Sequence, residues 1–165
     1  MRVLVVDDVP DVLDCIRTML SLFGYEIEIA ESAREALEKL ASRPFDVLVS
    51  DISMPEMNGI VFLETLRSSN SCNRDIYTIA LSGYSRDLLT LEKAGFNSYV
   101  MKTDYECLLR EIECEKSERK EQPSVLKAAN RTELRPSSSP TTPRMAERPP
   151  RPDEHQRHSC YAIRD

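Results

Sequence analysis

Asp51 closes the apolar run Val47-Leu48-Val49-Ser50 and precedes Ile52-Ser53-Met54-Pro55-Glu56-Met57-Asn58-Gly59. The run reads as a strand covered on both faces and the residues after it as a loop turning into a helix. A second acidic signal, Asp7-Asp8, follows the similar run Val3-Leu4-Val5-Val6. In a parallel sheet, ligands bind outside the carboxyl ends of the strands. If these strands are neighbours, three carboxylates share one crevice and repel one another until something neutralises them. A hard divalent cation bound through oxygen does so, and Mg²⁺ suits the set because it takes one or two carboxylates, keeps waters and leaves room for a phosphate. Asp51 can then act as a nucleophile toward a phosphorus held in line, giving an acyl phosphate. A phosphoryl group also needs a cation and a hydroxyl donor. Ser82-Gly83 follows Ile79-Ala80-Leu81, and Lys102 follows Tyr99-Val100-Met101. Both are expected to converge on Asp51 from the side opposite the metal.

The elements that must position these residues alternate strand with helix. Apolar runs at Val3–Val6, Val47–Val49 and Ile76–Leu81 predict buried parallel strands. Tyr25–Ala30 alternates and predicts a strand nearer the sheet edge, and Ser98–Met101 supplies a fifth. The first helix has Pro10 in its opening turn, Gly24 just past its end, and Val12, Ile16, Met19, Leu20 and Phe23 on one face. The second starts at Ser32 with Glu35 three residues on, a capping-box pattern. Its stripe is Ala33, Ala36, Leu37 and Leu40, and Pro44 closes it. The third follows Asn58-Gly59 with Ile60, Leu63 and Leu66 inward. A short fourth is expected over 85–94, ending at Gly95. The fifth starts at Thr103, with Tyr105, Leu108, Leu109 and Ile112 as its stripe. Five β–α units predict a doubly wound α/β domain, and the flavodoxin-like strand order 2-1-3-4-5 puts strands one and three together at the switch point. That order places Asp7, Asp8 and Asp51 in one crevice.

Charge divides the chain. Residues 1–117 carry 12 Lys/Arg against 21 Asp/Glu, a net of −9, and residues 118–165 carry 10 against 7, a net of +3. An acidic domain argues against a nucleic-acid partner, because phosphate backbones are repelled. No apolar stretch approaches the roughly 18 residues that span a bilayer. A strand beginning at Arg2 leaves no room for a targeting segment. Cys15, Cys72, Cys107, Cys114 and Cys160 form no C-x-x-C pair. They read as reduced thiols of a cytoplasmic protein, filling the core as small apolar residues. The chain thus divides into a folded domain, 1–117, and a Pro-rich tail, 118–165. The tail holds seven of the ten prolines and no glycine, and its one aromatic is Tyr161. It buries too little apolar area to offset ordering entropy and is expected to be disordered. Its prolines, as in Pro140-Thr141-Thr142-Pro143 and Arg148-Pro149-Pro150-Arg151-Pro152, favour polyproline II geometry. It reads as a passive extension, or as a short linear binding segment.

Alone, each piece has an ordinary explanation: a turn aspartate, a Ser-Gly turn, a solvated lysine, a core tyrosine. In order, and each at a strand end, they are specific. The chain resembles the response-regulator receiver domain of two-component signal transduction (CheY-like) over residues 1 to about 115. The match rests on Asp7-Asp8, the motif from Asp51 to Gly59 with Met54-Pro55 and Asn58-Gly59, Ser82, and Tyr99 three before Lys102. The resemblance implies that Asp51 accepts a phosphoryl group from the phosphohistidine of a histidine kinase or histidine phosphotransfer protein. It implies that Asp8, Asp51 and the Ser53 backbone carbonyl ligate Mg²⁺, with Asp7 acting mainly through water. Lys102 would pair with the acceptor carboxylate and then the phosphoryl oxygens. Ser82 would hydrogen-bond the phosphoryl group, and Tyr99 would rotate inward and couple the site to the helix-four, strand-five, helix-five surface. It further implies a signalling acceptor, with possible intrinsic autodephosphorylation, in place of an enzyme.

The sequence departs from that family in two places. Thr103 stands where a proline joined by a cis bond is usual. A non-proline cis bond costs about 3–4 kcal/mol, so a trans Lys102–Thr103 bond is expected, with Thr103 capping the fifth helix. The segment from Ser82 to Lys102 is a residue or two short, in the unit most used for output. Ser53 and Tyr84 stand where the family tunes water access to the acyl phosphate. The tail shows no helix-turn-helix pattern, so output is expected through protein–protein contact or onward relay. The alternative is a receiver-like module that binds a partner without phosphorylation. A phosphatase with an aspartyl nucleophile fits poorly, since Asp7-Asp8-Val9 lacks the second acid two residues beyond the nucleophile.

Overall fold

The computed structural model describes residues 1–83 and 88–121. Its elements run β1 (Arg2–Val6), α1 (Pro10–Leu22), β2 (Glu26–Ala30), α2 (Ala33–Ser42), β3 (Val47–Asp51), α3 (Gly59–Ser68), β4 (Tyr77–Ser82), α4 (Leu88–Lys93), β5 (Ser98–Met101) and α5 (Tyr105–Glu121). All pairings are parallel, in the order β2-β1-β3-β4-β5. This is the doubly wound α/β sheet expected, with β2 at an edge. Expectations for the tail and for residues 84–87, Tyr84 among them, fall outside the described residues. The helix α5 runs four residues past the 117/118 division.

Side-chain alternation along the strands splits the core in two. Val3 and Val5 of β1, Val47 and Val49 of β3, Ile79 and Leu81 of β4 and Val100 of β5 pack against α1 and α5 through Leu13, Ile16, Leu20, Cys107, Leu108 and Ile112. The other parity, including Leu4, Val6, Leu48 and Ala80, packs against α2, α3 and α4. Residues two beyond these strand positions inherit the same faces. Asp7, Asp51 and Lys102 therefore continue the α1–α5 parity, while Asp8 and Ser82 continue the other.

Local signals explain most boundaries. Pro10 opens α1. The backbone turns out of it at Gly24, whose φ of +75° is one that L side chains rarely adopt. The Ser32 side chain caps α2 by accepting from the Glu35 N–H at 3.2 Å. The Glu35 carboxylate reaches back to the Glu31 N–H at 2.9 Å, one residue before the cap. Asn58 caps α3, accepting from the Val61 N–H at 3.0 Å.

Three expectations are corrected. In α1 the buried ridge is Leu13, Ile16 and Leu20; Val12 and Met19 are partly buried, and Phe23 is half exposed where the helix has ended and no neighbour covers it. In α3, Phe62 joins Leu63 and Leu66 in the core and Ile60 stays peripheral. Of the described cysteines, Cys107 is buried, while Cys15, Cys72 and Cys114 are exposed: helix periodicity turns Cys15 of α1 and Cys114 of α5 outward, and Cys72 lies in the turn between α3 and β4.

Candidate functional site

Register brings the acids together. β1 and β3 pair from Val3↔Val47 to Val6↔Ser50, so Asp7 and Asp51 are the next residues along neighbouring strands on one face. Asp7 is fully buried and Asp51 is 2% exposed. Asp8, on the opposite parity, turns to solvent. One carboxylate oxygen from each of Asp7, Asp8 and Asp51 lies within 4.8 Å of the others.

The backbone fixes each acid. The Asp7 N–H donates to the Ala30 carbonyl at 3.2 Å, and Asp7 Oδ1 accepts from the Val9 N–H at 3.0 Å, holding the turn into α1. Beyond Asp51, the Ile52 N–H donates to the Leu81 carbonyl at 3.2 Å, and the Gly59 N–H returns to the Ile52 carbonyl at 3.0 Å. This second bond brings α3 against the end of β3. A Cβ at position 59 would lie 2.3 Å from the Asp51 carbonyl oxygen, so only glycine leaves room for that approach. Inside the loop the Met57 N–H donates to the Pro55 carbonyl around Glu56, which sits at a φ of 62°. That left-handed region is uncommon for a residue with a side chain.

Lys102 reaches the pair from the end of β5. Its Nζ lies 2.8 Å from Asp7 Oδ2 and 3.1 Å from Asp51 Oδ2. The ammonium therefore bridges the two buried acids and does not stand only on the side away from the expected metal. The reason is parity: all three side chains issue from one sheet face. Burial raises the Asp7 carboxyl above its ordinary range; Lys102 and the Val9 N–H oppose the rise, and the Asp51 charge adds to it. For Lys102, burial works against the charged form, but Asp7 and Asp51 outweigh it and the ammonium is held above its ordinary value.

Ser82 ends β4, buried at 1% exposure, and its carbonyl accepts from the Lys102 N–H at 3.0 Å. The hydroxyl and the ammonium are thus carried on hydrogen-bonded neighbours. Tyr99 pairs with Ala80 across the sheet and is partly buried against the α2–α4 core. Ser53 lies exposed two residues beyond Asp51.

The peptide bond after Lys102 is trans, as expected. The helix cap is not Thr103, however. Asp104 caps α5, its Oδ1 accepting from the Cys107 N–H at 2.9 Å. Lys102 and Thr103 are instead the central residues of a turn closed by the Asp104 N–H on the Met101 carbonyl at 2.9 Å, so the helix starts one residue later. Thr103 and Asp104 are both good cap residues, and sequence could not choose between them. The space constraint at Gly59 and the bridging of two acids by one lysine also escaped the sequence reading.

The donor set suits a hard divalent cation. Asp51 Oδ1 is buried and has no hydrogen-bond partner among the described residues, so a carboxylate lone pair is left for a ligand beside two further carboxylates.

A parallel α/β sheet thus carries clustered acids, a lysine and a serine at the carboxyl ends of its strands. The family model described as response regulator receiver domain matches residues 3–113. The chain belongs to that family. Chemotaxis protein CheY1 of Helicobacter pylori is 39% identical over 105 residues, covering 62% of this chain and 85% of that protein. The crystal structure of response regulator TrrA from Thermotoga maritima, in complex with Mg²⁺ and BeF, superposes with a TM-score of 0.62 at 31% identity, covering 69% of this chain and 97% of that one. Chemotaxis response regulator CheY4 of Vibrio cholerae gives 0.64 at 28% identity, covering 69% and 97%. Among the described residues, no helix is long and apolar enough to cross a membrane.

Proposed function

We propose that this chain is a phosphoacceptor switch in which Asp51 takes a phosphoryl group from a phosphohistidine. The observation that carries the reading is the buried Asp51 carboxylate, with one oxygen unpartnered and the other 3.1 Å from Lys102 Nζ. Asp51 attacks phosphorus in line; the P–O bond forms as the P–N bond to the imidazole breaks, and the imidazole leaves with the electron pair. Mg²⁺, held by Asp8 and Asp51 with the Ser53 backbone carbonyl, and with Asp7 acting through water, would neutralise charge on the transferring phosphoryl oxygens. Lys102 exchanges part of its contact with Asp51 for a phosphoryl oxygen. The Ser82 hydroxyl donates to another. Movement of Ser82 opens space for Tyr99, which transmits the state to the surface around α4, β5 and α5.

The donor is a histidine kinase or histidine phosphotransfer protein. Output is contact with a downstream protein in the cytoplasm, in place of a nucleic-acid or membrane partner. The domain runs to the end of α5 at Glu121, four residues past the expected division, and the Pro-rich tail follows. Beyond accepting the phosphoryl group, the domain loses it by intrinsic autodephosphorylation or passes it onward. Incubation with Mg²⁺ and acetyl phosphate should label Asp51, and Asp51→Asn should abolish the label. A label that survives the substitution refutes Asp51 as the acceptor; no label in the unsubstituted chain, with either acetyl phosphate or a phosphorylated kinase, refutes the reading and favours a phosphorylation-independent interaction module.

A further inference from the structure

The loop carrying Lys102 is held at one residue. Asp104 makes one bond back to β5, through its N–H to the Met101 carbonyl at 2.9 Å. It makes two forward into α5: Oδ1 to the Cys107 N–H at 2.9 Å, and its carbonyl to the Leu108 N–H at 3.2 Å. Between these anchors Lys102 occupies a two-residue turn, with its own N–H on the Ser82 carbonyl. We propose that Asp104 is the positioning residue for Lys102, and that by capping α5 it sets how firmly the ammonium is pressed between Asp7 and Asp51.

The consequence has two signs. Lys102 Nζ sits against carboxylates of the same cluster that suits a divalent cation. Ammonium and metal ion therefore compete for Asp7 and Asp51, as two cations facing one set of negative charges must. A firm loop strengthens the competitor and also presents a pre-placed cation to the phosphoryl group. A loosened loop frees the carboxylates for the ion while misplacing the cation that meets the phosphoryl oxygens. Loss of the cap should tighten Mg²⁺ binding and slow phosphorylation together. A residue that only stabilised the helix would lower the melting temperature and move neither in this pattern.

The phosphorylation half of the argument rests on Asp51 being the acceptor; the ion-binding half does not. The test uses the full chain with Asp104→Ala, Asp104→Glu and Asp104→Asn. Glutamate keeps the charge but is too long for the cap, and asparagine keeps the cap without the charge. Mg²⁺ affinity is measured by titration calorimetry and labelling rate with acetyl phosphate. Asp104→Ala and Asp104→Glu should bind Mg²⁺ about two- to fivefold tighter, the factor a lost cap corresponds to, and label Asp51 more slowly. Asp104→Asn should restore both. In a Lys102→Met background, Asp104→Glu should no longer shift Mg²⁺ affinity, because the competing ammonium is gone. If Asp104→Ala does not fold, Asp104→Glu carries the same expectation. Unchanged or weaker Mg²⁺ binding in folded Asp104→Glu, or an equal shift without Lys102, overturns the proposal. If the unsubstituted chain takes no label, the phosphoacceptor reading fails while the Mg²⁺ titrations still decide this one.

Discussion

Replacing Gly59 with alanine would put a Cβ 2.3 Å from the carbonyl oxygen of Asp51, 2.9 Å from Ile52 Cα and 3.2 Å from the Asp51 carbonyl carbon. All three neighbours are backbone atoms, so no side-chain rotation relieves the overlap. Ordinary contact begins near 3.4 Å, and the start of α3 must retreat from β3 by about 1 Å. Overpacking of this kind costs about 1–3 kcal/mol. The retreat also stretches the bond from the Gly59 N–H to the Ile52 carbonyl, now 3.0 Å, worth about 1 kcal/mol. Alanine recovers at most about 1 kcal/mol through its higher helix propensity. The net loss is about 1–3 kcal/mol. For a domain of this size, with an unfolding entropy of about 0.25 kcal/mol/K, the melting temperature should fall by about 4–12 °C. The displaced backbone is that of Asp51 itself, so labelling by acetyl phosphate should slow as well. Thermal unfolding by circular dichroism, with labelling measured below the transition, checks both. A melting temperature unchanged or raised would refute the argument that this approach is limited by space.

Asp7→Asn tests the electrostatics without Mg²⁺. Burial raises the Asp7 carboxyl in the folded chain, so the fold binds its proton more tightly than the unfolded chain does. Its contribution to stability is then greatest below the unfolded value of 3.8 and is lost as pH rises through the folded one. Asp7→Asn should therefore raise the melting temperature near pH 7 in chelator and flatten its pH dependence; a lower melting temperature there would contradict the assignment. Truncation tests the end of α5. Lys116 Nζ lies 4.7 Å from the centroid of the Tyr25 ring, and Arg119 bonds the Asp46 carbonyl at 2.8 Å and its carboxylate at 3.3 Å. A chain ending after Glu121 should match the full chain in stability and labelling, whereas one ending after Glu113 should lose about 1–2 kcal/mol in urea unfolding. Equal stability of the two would show these contacts to be idle.

Several long-range polar contacts left no sequence signal. Asn73 is 2% exposed, accepting from the Phe45 N–H at 2.8 Å and donating to the Leu40 and Arg43 carbonyls at 2.6 and 2.7 Å. Arg67 donates to the carbonyls of Arg74, Ile76 and Gly95 and to the Thr78 hydroxyl. These partners lie up to 33 residues apart in the chain. No local propensity or periodicity encodes such pairs, because their geometry follows from how distant elements pack.

The sequence by itself determined the strands and the residues at their carboxyl ends, and narrowed their order to a few possibilities. Val3–Val6, Val47–Val49 and Ile76–Leu81 are too apolar to be anything but buried strands, and the alternation with helices leaves few topologies. Asp7, Asp51 and Ser82 stood out as candidates because the end of a buried strand is a costly place for a polar side chain, and Asp8 and Lys102 through their places beside such ends. Tertiary structure decided how these residues meet. Register and parity put Asp7, Asp51 and Lys102 on one face, so one ammonium holds two acids, while Asp8 faces solvent. It chose Asp104 over Thr103 as the cap, because the turn after β5 consumes two residues before the helix begins. It also made Gly59 a matter of distance, since only the approach of α3 to the end of β3 fills the space where a Cβ would stand.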